Sequence, residues 1–463
     1  MSAIADLPAS ELRRRIGARE MSVADLIGAC LDRVKQHNAT LNAIVTDNPR
    51  VMDDARELDQ RLARGEDPGL LCGLPVGIKD VTPVAGMRTT FGSPIYSDYI
   101  PKEDALVVQR LREAGAVIMG KTNCPEFAAG ANTFNDVFGR TRNPWDPSKS
   151  AGGSTGGGAA ALVSGMIALA EGTDLGGSLR IPASFCGIVG LRPSVGLVPT
   201  HPTDWAWDTL QVTGPMARTA EDVALMLQAI AGPSDLSPIA QPVAGRDFVA
   251  TVKAGVRRGV RVAYCSDIAG IGVDPAIERV CRAAAFSLKD GGAHVEDLQL
   301  DLSPGRPAFL ALRGLWFVSQ MFPRLDKQDR FGTNVGNNVR SGLQVTTKEL
   351  AAAEDFRGRL WHRFRKFFET FDYVLTPCMA VPPFPVEQNY PDNIAGKPMQ
   401  TYIDWIAPTF VLSLTGLPVA SVPAGLDASG MPVGLQIVGK QFGEETVLAL
   451  AAQVQKLRPL ARP

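Results

Sequence analysis

The stretch from Ser150 to Thr200, SAGGSTGGGAAALVSGMIALAEGTDLGGSLRIPASFCGIVGLRPSVGLVPT, constrains this chain more than any other. It carries two Gly-Gly-Ser units, Gly152-Gly153-Ser154 and Gly176-Gly177-Ser178. Glycine beside a hydroxyl suits catalysis, because a backbone without Cβ can take unusual dihedrals and lie close to a substrate. Between the two serines Gly156 to Gly165 is small and Ala-rich, Ile167 to Ala170 is an apolar run, and Thr173-Asp174 opens a loop. That is a helix carrying the chain out and a strand bringing it back. A flexible linker would be polar and repetitive, which this stretch is not. A phosphate cradle would need G-x-x-x-x-G-K-[ST], or G-x-G-x-x-G after a clear strand, and neither is present. A hydrolase site with two serines remains, and it demands a base.

Histidine is a poor source of that base. His37, His201, His294 and His362 are the only histidines, and none sits in a motif-like setting. A Ser-His-Asp triad stays open on sequence alone, because its members meet in space rather than in order. Lysine is the other source. Lys79 follows Leu74-Pro75-Val76-Gly77-Ile78, which reads as a buried strand carrying the ammonium inward. Lysines usually stay solvated. Burial would disfavour the charged form, lower the pKa and leave an amine able to accept a proton.

Gly77-Ile78-Lys79-Asp80, then Gly152-Gly153-Ser154-Thr155-Gly156-Gly157, then the run from Gly172 to Ala183 (GTDLGGSLRIPA) occur in order. With them the chain resembles the amidase signature hydrolases, from about Leu74 through Val198 and again from Gly416 to Gly439. The resemblance implies Ser178 as the acyl-accepting nucleophile, Ser154 as the bridging serine, preceded by a cis peptide after Gly153, and Lys79 as the terminal base. It also implies that Asp174 and Arg180 brace the loop, and that Gly130, Ala131 and Asn132 border the scissile group. Thr155 departs from the second serine of many members but keeps a hydroxyl. No metal and no cofactor are implied. The oxyanion needs converging backbone N–H donors, which Leu175, Gly176, Gly177 and Ser178 can supply, each worth about 3 kcal/mol in the transition state.

The remaining sequence reads as one α/β domain over residues 1–463, with a mixed, mostly parallel central sheet flanked by helices. Residues 1–66 read as a helical layer, in which Ser22-x-x-Asp25 is a capping-box-like start. From Leu70 helices and strands alternate: Ala105–Ala114 closed by Gly115, Ala116–Met119, a helix capped by Thr219-x-x-Asp222, Val260–Tyr264 and Val374-Leu375. Residues 302–400, with Trp316, Phe317 and a long helical run, read either as another layer or as a cap over the substrate pocket. Trp205 and Trp207, on a loop close behind the signature, are expected to line that pocket rather than lie exposed.

Lys and Arg number 47 against 48 Asp and Glu, so no charge field points to nucleic acid or an anionic membrane. No run approaches ~18 apolar residues and the N-terminus lacks an apolar leader. Seven scattered cysteines without C-x-x-C suit a reducing cytoplasm. A small-molecule amide is the expected partner, and a homodimer is left open. Two other readings share the signature: the glutamine-hydrolysing component (the A subunit) of a tRNA-dependent amidotransferase, and a hydrolase of carbamates, ureas or esters. Glutamine would require charged clamps for its α-amino and α-carboxyl groups, for which only Arg140 and Arg142 offer themselves.

Overall fold

Eleven strands form one sheet in the computed structural model, which describes residues 4–463. Across the sheet they run Ile44–Asp47, Val117–Thr122, Pro75–Lys79, Leu169–Asp174, Val212–Ala217, Val189–Arg192, Val419–Leu426, Pro432–Val438, Tyr373–Pro377, Arg261–Tyr264 and His294–Asp297. Most inner strands, such as Val117–Thr122 and Pro432–Val438, are buried along their whole length. Burial on both faces means that these strands do not alternate apolar with polar, and their few polar residues, such as Lys121 and Gln436, are buried too.

The expected mixed sheet is present, with its balance corrected. Four neighbouring pairs are parallel, and six are antiparallel. Short returns explain the difference: Val419–Leu426 and Pro432–Val438 are joined by a tight turn around Asp427 to Gly430, too short for a crossover helix. The N-terminal layer is corrected too. Its helices Ala9–Gly17, Val23–Leu41 and Val51–Ala63 enclose the edge strand Ile44–Asp47.

Local signals behave as their chemistry requires. Ser22 accepts from Asp25 N and Thr219 from Asp222 N, each capping a helix. Lys79 and Asp174 are the last residues of two parallel neighbours, so both lie at one carboxyl edge of the sheet, the place where open α/β sheets gather ligands.

The 302–400 region forms three helices, Arg306–Met321, Thr333–Leu343 and Thr347–Phe367, of which the first borders this edge and the other two pack on it, while Tyr373–Pro377 joins the sheet. Phe309 stacks on Phe410 at 4.2 Å, and its ring fills the space where a side chain on Gly176 would stand. The cap therefore touches the second glycine–serine unit directly. Among the described residues no helix is long and apolar enough to cross a membrane.

Candidate active site

Lys79 is fully buried at the end of its strand, and its Nζ donates to Ser154 Oγ at 2.6 Å and to Thr173 Oγ1 at 2.9 Å. Its backbone N–H donates to Glu171 Oε2 at 3.1 Å. Glu171 and Thr173 share a face of one strand by the two-residue period, so a single strand holds both ends of the lysine. Burial pulls the Lys79 pKa down to about 8, against the opposing pull of Cys124, Glu171 and Asp174. At neutral pH a small fraction of such amines is uncharged, within reach of a serine hydroxyl and able to take its proton.

Ser154 is also fully buried and follows a cis Gly153–Ser154 peptide, at the entrance of the helix Gly156–Val163. Gly152 has φ +75° and faces Pro182, where a Cβ would lie 3.0 Å from Pro182 Cα. Only glycine fits that turn easily. Thr155 donates its backbone N–H to the Ser178 carbonyl at 3.2 Å, which ties the two glycine–serine units together. Its hydroxyl is buried without a hydrogen bond, while its methyl occupies the space opened by Gly172.

Ser178 is half-buried and borders a cavity of about 30 Å³ together with Thr173, Leu175, Gly176, Gly130 and Ala131. Among the described residues no hydrogen bond joins its hydroxyl to Ser154. Gly177, at φ +130°, would place a Cβ 2.3 Å from Thr409 Oγ1, so the turn before the serine admits no side chain.

Asp174 organises this turn. Its carboxylate accepts from Gly177 N (2.9 Å), Leu179 N (3.2 Å), Arg180 Nε (3.0 Å) and Nη2 (2.9 Å), and Arg192 Nη1 (3.3 Å). All three charged side chains are fully buried. Burial alone would raise the Asp174 pKa, but Arg180 first and then Arg192 hold it well below the usual carboxylate range. One sequence expectation is corrected here. Gly177 N–H is committed to Asp174, so the backbone donors left for an oxyanion are those of Leu175, Gly176 and Ser178.

The other expected binding residues divide. Gly130 and Ala131 border the serine's cavity, whereas Asn132 is buried beside it as a support, donating to Val386 O and Gln388 O and accepting from Ser150 Oγ. Trp207 is 67% exposed, and Trp205 borders a separate small cavity with Val198 and Thr200. Neither lines the serine's pocket. The reason lies in Asp208, which accepts from Leu210 N, Gln211 N and Trp316 Nε1, and so draws a cap tryptophan into the position. Arg140 lies over Phe134 and donates to Val386 O, and Arg142 donates to Pro147 O, so neither faces the pocket.

Trp316 also borders a second, larger chamber of about 280 Å³, walled by Phe91, Tyr99, Phe127 and Met321 and opening onto the first. Glu171 and Arg192 carry no motif that marks them as site residues in sequence, and Thr173 stands in the third motif without a role of its own. The two-residue period from Glu171 and Lys79's need for partners could have found Thr173. Among the described residues no group of three or more His, Cys, Asp or Glu is placed to hold a metal ion.

A family model described as Amidase matches residues 25–448. An acylamidase of Rhodococcus erythropolis is 35% identical over 98% of this chain and 96% of its own. The A subunit of the glutamyl-tRNA(Gln) amidotransferase of Carboxydothermus hydrogenoformans is also 35% identical, covering 96% of both chains. Among solved structures, a bacterial aryl acylamidase of the amidase signature enzymes superposes with TM-score 0.91 at 26% identity, over 98% of this chain and 96% of that one.

Proposed function

The chain belongs to the amidase signature family, and from that premise we propose that it is a free-standing amide hydrolase acting through an acyl-enzyme on Ser178. The observation that carries the reading is the buried contact of Lys79 Nζ with Ser154 Oγ at 2.6 Å, beside the half-buried Ser178.

An amide is a weak electrophile with a poor leaving group, so the nucleophile must lose a proton and the departing nitrogen must gain one. Neutral Lys79 takes a proton from Ser154 as Ser154 takes one from Ser178, the serine–serine link tightening once substrate is seated. Ser178 Oγ bonds to the carbonyl carbon, and the oxyanion meets the N–H groups of Leu175, Gly176 and Ser178. The relay reversed protonates the leaving nitrogen. Water then attacks the ester by the same path and frees the acid. Asp174 and Arg180 act only by holding the loop.

Two observations favour an independent amidase on small apolar or aryl amides over a glutamine-using component of a larger complex. The serine's cavity has no Asp or Glu in its lining to receive an α-ammonium group. The adjoining chamber carries Phe91, Tyr99, Phe127 and Trp316 on its wall, and its one carboxylate, Asp204, is paired with Arg324. Seven buried free cysteines support a reducing, cytoplasmic setting. The amidotransferase reading stays in play on its equal identity. The test is the purified chain alone with anilides, esters, carbamates and glutamine. Anilide turnover with fluorophosphonate labelling at Ser178 is expected, and glutaminase activity appearing only with a partner protein would overturn it.

A further inference from the structure

Buried arginines in this fold are matched by carboxylates or carbonyls, with one exception. Arg180 and Arg192 share Asp174. Arg218 donates to the carbonyls of Leu162, Ile167 and Leu7. Arg313, only 6% exposed on the helix Arg306–Met321, has no carboxylate within 4.0 Å among the described residues. One of its N–H groups donates to Asn338 Oδ1 and another to the Tyr402 hydroxyl. Its guanidinium lies 4.5 Å from the Phe317 ring centre and 5.3 Å from that of Tyr402. Both hydrogen-bonding partners are neutral, and the remaining donors have no protein acceptor among the described residues.

This side chain borders the same cavity as Ser178. The helix that carries it lies close against its neighbour: a Cβ on Gly342 would lie 2.4 Å from Gly314 O. Tyr402 OH also accepts from Asn338 Nδ2 at 2.6 Å, so hydroxyl, amide and guanidinium hold one another still. A buried charge is ordinarily paired. A rigid, stacked guanidinium with free donors on the cavity of a reactive serine is half of such a pair, and its planar fork suits a carboxylate.

We propose that the substrate carries a carboxylate on its acyl portion and that Arg313 receives it. The proposal rests on the amide-hydrolase reading above. The carboxylate belongs to the acyl side of the substrate because Arg313 and Ser178 line one cavity, whereas Arg313 does not border the neighbouring chamber that would take the aryl amine. A free ammonium on the same acyl group would meet no acid there, which separates this class from glutamine. Arg313 also borders an outer groove between the cap helices, where Glu349 and Arg306 already offer mixed charge.

The test compares succinanilic acid with 4-methylpentananilide, its neutral counterpart of similar shape, in the wild type, Arg313→Met and Arg313→Lys. The wild type is expected to favour the acid by about 30-fold in kcat/KM, chiefly through KM. Arg313→Met should abolish the preference, with the larger loss falling on the acid, and Arg313→Lys should restore part of it. Equal rates for acid and neutral anilide in the wild type would overturn the proposal. So would an Arg313→Met variant slowed equally on both, or a preference found only with 4-acetamidobenzoate, whose carboxylate is on the amine side. Fluorophosphonate labelling of Ser178 separates the failures. Labelled enzyme without acid preference overturns the anion seat alone, and unlabelled enzyme inert to both anilides overturns the hydrolase reading with it.

Discussion

The serine loop and the helical cap are held in place by different forces. Around Ser178 position is set by directed polar contacts: the Asp174 carboxylate alone gathers two backbone N–H groups and two guanidinia. In the cap position is set mainly by packing: Phe309 lies flat on Phe410, Trp316 meets Phe317 edge-on at 5.0 Å, and Gly314 seats against Gly342. Hydrogen-bonded geometry fails when one atom is lost, whereas apolar packing tolerates exchanges that conserve volume. The chemistry is thus locked into the sheet edge, and the pocket walls are free to differ from one relative to another.

The contrast breaks first at the nucleophile. Ser178→Ala removes the atom that forms the acyl bond and disturbs little else, since its hydroxyl holds no other residue. Amide turnover should fall by at least about 10⁴-fold, with no acyl adduct detected by intact mass. A variant that retains turnover would move the nucleophile elsewhere.

Lys79→Ala comes next, with a loss of about 10²–10⁴-fold. The lysine's side-chain partners are the hydroxyls of Ser154 and Thr173, so no buried carboxylate loses a close ion pair and the thermal midpoint should move little. Activity needs the neutral amine, and burial lowers its pKa to about 8. Wild-type kcat/KM should therefore climb with pH and level off above about 8. Lys79→Arg stays protonated and should not restore the rate. A pH profile already flat between 6 and 9 would remove Lys79 as the base.

Asp174→Asn tests the polar side of the comparison through stability. It strands the buried guanidinia of Arg180 and Arg192, at a cost of about 3 kcal/mol or more in urea unfolding. The folded Asp174 pKa is depressed, so its contribution is present above the ordinary aspartate range and is lost as pH falls below about 4. An Asn variant as stable as wild type would show that the hub is not what holds the loop.

Much of this was legible in sequence because it is local. Lys79, Ser154 and Ser178 sit in short motifs whose residue types have few other uses together, and Ser22 and Thr219 announce their caps within a single turn. What was not legible depends on distant packing. Ile44–Asp47 is too short to stand out between two helices, and it becomes a strand only by pairing with Val117–Thr122. Arg313 looks like any polar residue of an amphipathic helix until Asn338 and Tyr402, distant in sequence, are brought to its guanidinium. Gly177 reads as an oxyanion donor because nothing in its neighbours shows that Asp174 takes its N–H.

The cap should respond more gently, and there the ranking of tryptophans is the sharpest test. Trp316 borders both chambers and donates Nε1 to Asp208 at 2.6 Å. Its replacement by Ala should raise KM for aryl amides by about 10–100-fold, in line with the roughly 1.5–3 kcal/mol of a buried apolar side chain.

Trp207 should do almost nothing. Its neighbourhood in sequence, close behind the signature, made it an attractive pocket residue, but at 67% exposure it has little apolar contact to lose. The loop that carries it is held by its flanks: Asp204 pairs with Arg324 at 2.8 Å, and Asp208 accepts from the backbone of Leu210 and Gln211. Neither anchor involves the indole. Trp207→Ala should therefore shift unfolding by less than about 0.5 kcal/mol and leave kcat and KM for anilides unchanged. A selective rise in KM for aryl substrates alone would mean that the loop folds over the chamber when substrate binds, returning Trp207 to the pocket wall from which its exposure removes it.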